Sequence, residues 1–496
     1  MNKKLNIVLK YHNLLVLLVL VSLYLLGLFV FILSYKTPYF LFPVSFGFTE
    51  ALSVFLFVFS LILGNRGLKW YVIFLVVNIL AIPASIDNII PSILISASND
   101  NREIFFPLVT HIDLYLILGM VKYWKKDKVF YISRYYVVLS ICVLLLTTSI
   151  YYNIFSIQKL HDTGLIIANS YHVRYILLFF LLFQNTDIKL FNKSIQLGLL
   201  ISLIFLILEA IIYGKVFLDS YRIVSGNLGN NTFANFLSAV SCYYIYLLFR
   251  NKINRRYILL VMVMVVVVFF ARTRSAYLIL LTYFTIETVI YFRKLILLKQ
   301  FKKTLVLLGI VLVSTTTIFV FFSQNDRLNW KNFKITQIDF SKKKLSDIIV
   351  LEENEFNASL NLRLDHYQTS LNMINKSPWL GIGPGRWNVY KASYGSKDEN
   401  IMDSHNDILA MASQYGLLPG ILFCLCLYLM PLLIHIKKIK NIKTINSIRY
   451  LFIINLGMIL AGMTNSGMFK HHIFGILALI VVFNIFIDDG KRINKI

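Results

Sequence analysis

The sequence predicts an all-α polytopic membrane protein of about 12–14 transmembrane helices, with one large extracytoplasmic loop that contains amphipathic helices. Three observations predict it. Hydrophobic residues make up 58% of the 496 positions and charged residues 15%, more apolar than soluble domains are. Apolar runs of roughly 17–25 residues, enough to cross about 30 Å of hydrocarbon, recur along the whole chain. Basic residues gather in the short connectors between those runs, where they orient a protein in a bilayer.

In chain order the spans are expected near 14–33, 46–63, 70–86, 104–121, 135–155, 172–184, 196–214, 231–249, 257–271, 275–292, 304–322, 415–436, 450–466 and 473–487. The first follows Lys3, Lys4 and Lys10 and, at about twenty residues, is too long for the core of a signal peptide. The sixth is short and interrupted by Arg174. With the N-terminus inside, the inner connectors hold 29 Lys and Arg and the short outer ones 8. That bias sets both termini in the cytoplasm and residues 323–405 outside. The loop exceeds the length over which the bias operates, so its own basic residues do not oppose the assignment. The chain divides into an N-terminal bundle of about eleven helices (1–322), the large loop (323–414) and C-terminal transmembrane helices (415–496).

The net charge of +25 does not imply nucleic acid, because the basic residues sit in membrane connectors. Cys142, Cys242, Cys424 and Cys426 all fall inside apolar runs, a placement that suggests neither a metal site nor a disulfide framework.

Residues 361–420, from within the loop into the next span, are the one long region of mixed character. Within it, Leu364, Tyr367, Leu371 and Ile374 recur at helical spacing and predict an apolar stripe, with Arg363, His366 and Ser370 on the other side. Such a helix either lies in the membrane interface with a solvated polar face or aims Arg363 at an anionic substrate. The turn Ser377-Pro378-Trp379-Leu380-Gly381-Ile382-Gly383-Pro384-Gly385 follows, and its glycines allow close approach of another chain or a sugar. No Walker lysine pattern or Rossmann strand accompanies it. His405 then opens a second helix, which Asp403 or Ser404 can cap and Gly416 can end. An imidazole there faces the positive end of the helix dipole, which favours its neutral, proton-accepting form.

Arginines also stand at outer ends of spans: Arg222 in YRIVSGNLGNNTFANFL, and Arg272 and Arg274 in ARTRSAY. Arginine is costly in hydrocarbon, so near a span it faces a polar partner or snorkels to headgroups. A diphosphate is a natural partner for guanidinium. Arg174 is a further candidate.

These features together resemble the O-antigen ligase and O-antigen polymerase superfamily over roughly residues 215–435. The matching elements are the Arg363 helix before the Pro-x-x-Gly-x-Gly turn, His405-Asn406 followed by nine residues and then Gly416, Arg274 in Thr-Arg-Ser, and Arg222 before Gly226 and Asn231. Pro419 departs from the family's Gly-x-x-Gly and leaves Gly420 displaced by one. The resemblance implies a bacterial inner-membrane glycosyltransferase with a periplasmic site. Its donor would be an undecaprenyl-diphosphate-linked glycan, and its acceptor lipid A–core (ligase) or a lipid-linked glycan (polymerase). His405, Arg274 and Arg363 would then be catalytic, with Arg222, Arg272, Arg174, Gly381 and Gly383 binding substrate. Neither a metal nor another cofactor is implied. A protein O-oligosaccharyltransferase and a flippase of lipid-linked sugars are the alternatives.

Overall fold

The computed structural model describes residues 2–33, 48–82, 92–96, 103–123, 134–156, 160–183, 188–212, 234–242, 274–300, 333–342, 348–352, 355–398, 404–439 and 455–463, with the single positions 305, 474, 475 and 478. The described chain is mostly helical, with two short antiparallel hairpins, Ser92–Ser96 with Glu103–Pro107 and Ile335–Ile338 with Ile349–Leu351. Among the described residues, three helical stretches are long and apolar enough to cross a membrane: Tyr135–Ser156, Asp162–Phe183 and Leu417–Ile434. The protein is a membrane protein. The expected span 257–271, all of 304–322 but position 305, most of 473–487, and the connector bearing Arg222 lie outside the described residues.

Two expectations change. The run 104–121 is not one helix: its first part is the strand Glu103–Pro107, and the helix His111–Tyr123 begins only after it. The reason is local. The Thr110 amide donates to Asp113 Oδ2 at 2.9 Å and the Asp113 amide to Thr110 Oγ1 at 3.1 Å, a reciprocal cap that fixes the helix start. The sixth span is longer than 172–184, because the helix Leu160–Ala168 continues into Tyr171–Phe183 across a two-residue turn.

The core centres on the helices Leu68–Ala81 and Tyr171–Phe183, in which every side chain from Tyr71 to Ala81 and from Tyr171 to Phe183 is buried. The helix Ile188–Ile212 packs closely on the first, because Gly198 lies against the Ile73 backbone where a Cβ would fall 2.5 Å from the Ile73 carbonyl. Inside this core Arg174 is fully buried and ion-paired to Asp113 at 3.0 Å. Its guanidinium also donates to the Leu108 and Ile167 carbonyls, both at 3.0 Å. Tyr24 completes the carboxylate's shell, donating to Asp113 Oδ1 at 2.6 Å.

The loop segment is moored to one end of this bundle. Ser149 and Asn153, near the end of Arg134–Ser156, both donate to the Leu380 carbonyl, at 2.7 and 3.0 Å. Asp162, near the start of Leu160–Ala168, accepts from Arg386 at 3.2 Å and from Tyr390 at 2.6 Å. The Gly-rich turn is therefore held against the end of Arg134–Ser156 and the start of Leu160–Ala168.

Candidate functional site

The helix Glu355–Lys376 carries Arg363 and packs against the short helix Asp407–Tyr415 that follows His405. Its buried face coincides with the apolar stripe read from the sequence only at Ile374. His366, Thr369, Ser370 and Met373 also turn inward, while Leu364 and Tyr367 are half-buried and Leu371 is 37% exposed. His366 and Ser370 can be buried there because each finds a partner. His366 Nε2 meets Asp398 Oδ2 at 2.9 Å, Ser370 Oγ accepts from the Trp387 indole at 3.0 Å, and Ile382 and Trp387 enclose Met373. Asp365 ties the far side, accepting from Ser396 Oγ at 2.7 Å.

The Gly-rich turn forms a backbone joint with the short helix. The Ile382 amide donates to the Ser413 carbonyl at 3.0 Å and the Gly383 amide to that of Gln414 at 2.9 Å. Gly385 donates to the Gln414 side chain at 2.6 Å. Gly381, with φ 66°, sits where a Cβ would lie 2.3 Å from the Gln414 backbone. What the glycines admit is thus another stretch of this chain, and the amides of residues 382 and 383 are already occupied.

His405 does not lie inside the helix. The cap is Asn406, whose side chain accepts from the Leu409 amide at 3.1 Å, in place of the expected Asp403 or Ser404. Ser404 instead donates to the Asn406 carbonyl at 3.0 Å, and Asp403 lies outside the described residues. His405 precedes the cap with φ 54°, a left-handed conformation that costs energy in a residue with a Cβ and recurs at working sites. Its ring stacks on that of His366, with centroids 5.4 Å apart and planes within 17°.

Arg363 lies one turn before His366 and Tyr367 on the same helix, and the Tyr367 hydroxyl hydrogen-bonds Asn406. The structure thereby brings Arg363, His366, Tyr367, Asn406 and His405 together. Burial pushes the Arg363 guanidinium below its ordinary value, with the Tyr367 phenol opposing. Among the described residues no carboxylate forms an ion pair with it. A half-buried guanidinium without a bonded carboxylate is suited to an incoming anion. Burial likewise pushes His366 down, against the opposing pull of Asp398, and Tyr367 up.

Of the other expected residues, Arg274 is the first residue of the helix Arg274–Leu297, and its side chain lies outside the described part. Arg222 and Arg272 lie outside it altogether. Arg174 is committed to Asp113 in the core. His366 was legible only as part of a polar face; its position three residues after Arg363 was the signal that it shares the arginine's side of the helix. Asp398 and Lys391, which hold it, come from a segment with no periodicity to read. Among the described residues no group of three His, Cys, Asp or Glu is placed to hold a metal ion.

Fold and site together define a membrane protein that assembles a cation and imidazoles at one end of its bundle. Residues 259–425 match the family model described as O-Antigen ligase (Wzy_C), about a third of the chain and a stretch that holds Arg272, Arg274, Arg363, the Gly-rich turn and His405. This match supports the O-antigen ligase superfamily as the chain's family and a role in membrane glycan processing. No curated protein matches the chain.

Proposed function

We propose that the protein transfers an undecaprenyl-diphosphate-linked glycan to an acceptor hydroxyl at the periplasmic face of the inner membrane. The observation that carries this reading is the placement of His405, in a left-handed conformation, against the helix that presents Arg363. The acceptor oxygen attacks the anomeric carbon as its proton passes to His405. The bond from that carbon to the diphosphate breaks, and undecaprenyl diphosphate leaves with the electron pair. Direct displacement inverts the anomeric configuration. Arg363, with Arg274 and Arg222, holds the charge on the diphosphate. A preorganised charge contact is worth about 3–4 kcal/mol and a positioned base about 10²–10⁴-fold.

The test is transfer by the purified protein in detergent, where flipping has no meaning, from a lipid-linked glycan donor to lipid A–core or to a second lipid-linked glycan. His405→Ala and Arg274→Ala are expected to abolish product while leaving membrane expression intact. Near-normal turnover in both discards the assignment. The acceptor that is consumed separates ligase from polymerase.

A further inference from the structure

The buried trio behind His405 is not needed to explain a base and a phosphate clamp. His366 is 0% exposed, and its Nε2 faces Asp398 Oδ2 at 2.9 Å. A carboxylate only accepts, so Nε2 carries the proton. Lys391 Nζ donates to the same oxygen at 3.0 Å, so the carboxylate is already balanced without a charge on the imidazole. The other nitrogen, Nδ1, is buried with no hydrogen-bond partner among the described residues. Protonating it would bury an N–H with no acceptor, a costly outcome. Geometry and charge balance both favour the neutral ring, and burial pushes the group the same way. That ring lies parallel to His405. Trp387 closes its other side edge-on, at 5.1 Å.

We propose that His366 is a positioning residue of the transfer site: fixed as a neutral ring by Asp398 and Lys391, it presents the flat face against which the His405 imidazole is set. A base must gain positive charge during the reaction. Facing a neutral aromatic surface it gains that charge favourably, whereas facing an imidazolium it meets a like charge. Among the described residues, the ionisable groups around His366 are Arg363 and Asp365 on its own helix, Lys391 and Asp398 from the segment after the turn, and His405 itself. Removing Lys391 takes away the ammonium bonded to Asp398 and draws a proton onto His366.

The role as positioner rests on the transferase reading, but the coupling between the two rings is measurable without donor. Full-length protein in lipid vesicles is treated with diethylpyrocarbonate, which modifies neutral imidazole. The rate at His405 is followed by peptide mass spectrometry from about pH 5 to about pH 8. In Lys391→Met the His405 inflection is expected to move down by about one pH unit, because His366 charges first. In His366→Phe/Lys391→Met, where the facing ring cannot charge, it returns to the wild-type position. An unmoved inflection in the single variant, or a shift that survives in the double one, overturns the coupling. In steady-state transfer, His366→Phe keeps kcat within about threefold of wild type, while His366→Ala lowers kcat more than about tenfold at unchanged KM. This pair also decides the matter where the Lys391 variants do not fold, since equal kcat for Phe and Ala overturns the positioning role. Absence of transfer in the wild type refutes the functional reading and leaves the coupling result standing.

Discussion

Gly416 lies so close to Trp379 that a Cβ on it would fall 2.0 Å from the Trp379 carbonyl oxygen. On either side of this contact, Leu417 donates its amide to the Pro378 carbonyl at 2.7 Å and Ile382 donates to Ser413 at 3.0 Å. The end of the short His405 helix and the Gly-rich turn after the Arg363 helix are therefore joined backbone to backbone. Two segments over thirty residues apart in sequence hold base and guanidinium in one frame.

Gly416→Ala tests the joint. The residue has φ 101° and no room for a methyl group, so strain and overpacking add to about 2 kcal/mol or more. Gly395→Ala is the control: φ is 95° there, yet the nearest atom to a Cβ is 3.8 Å away. Thermal unfolding in detergent should show the larger loss at Gly416, accompanied by loss of transfer. Equal losses would show that backbone strain alone matters and that the joint is not tight.

Acidification should loosen the site through His366. Its folded-state pKa is lowered by burial, so the unfolded chain binds more protons as pH falls below about 6.5, the ordinary value of the free imidazole. The stability deficit therefore opens below that pH and is absent above it. Melting temperature measured at about pH 7.5 and about pH 5.5 should fall less in His366→Phe than in wild type. An identical fall would place the acid sensitivity elsewhere.

Much of this site was legible for a physical reason that the structure supplies. The nine residues between Asn406 and Gly416 are the short helix itself, capped by the Asn406 side chain and ended by a glycine in a conformation other residues resist. A spacing that reads as a motif is thus a helix length. The apolar runs were legible because hydrocarbon demands them. What could not be read was which face of Glu355–Lys376 turns inward. Periodicity favours Leu364, Tyr367, Leu371 and Ile374, but Trp387, Lys391 and Asp398 provide hydrogen bonds that let the His366 and Ser370 face be buried. Those partners lie 17 to 32 residues away, beyond the reach of a helical pattern. The strand at Glu103–Pro107 was missed because an apolar run carries no signal of whether it is helical or extended.

Arg174→Met separates structural from substrate-binding arginines. Removing it leaves the Asp113 carboxylate buried and unbalanced, at a cost of about 3–5 kcal/mol. Because the guanidinium is fully buried among Asp113, Leu108 and Ile167, the folded fraction should retain its transfer rate per molecule. Arg363→Met should do the reverse, keeping the melting temperature nearly unchanged while lowering turnover by about 10²-fold or more. Melting and specific activity measured on both variants decide this. Lost turnover in a stably folded Arg174→Met would return that residue to the substrate site.

Asn406 offers the finest test, because the tasks of its side chain are separable. Its oxygen caps the short helix through the Leu409 amide, and its amide nitrogen faces the Met463 carbonyl at 3.4 Å and the Tyr367 hydroxyl. Asn406→Ala removes all of these and should cost about 1 kcal/mol of stability. Asn406→Asp keeps the cap, gains from a negative charge at the helix N-terminus, and loses the donor to Met463 and Tyr367. The next residue back, His405, holds its left-handed conformation only while the cap fixes the chain that follows it. Turnover should therefore fall by about tenfold or more in the Ala variant and be largely retained in the Asp variant, at similar protein levels. If both variants lose turnover equally, the contacts of the amide nitrogen with Met463 and Tyr367 set the position of His405, and the cap does not.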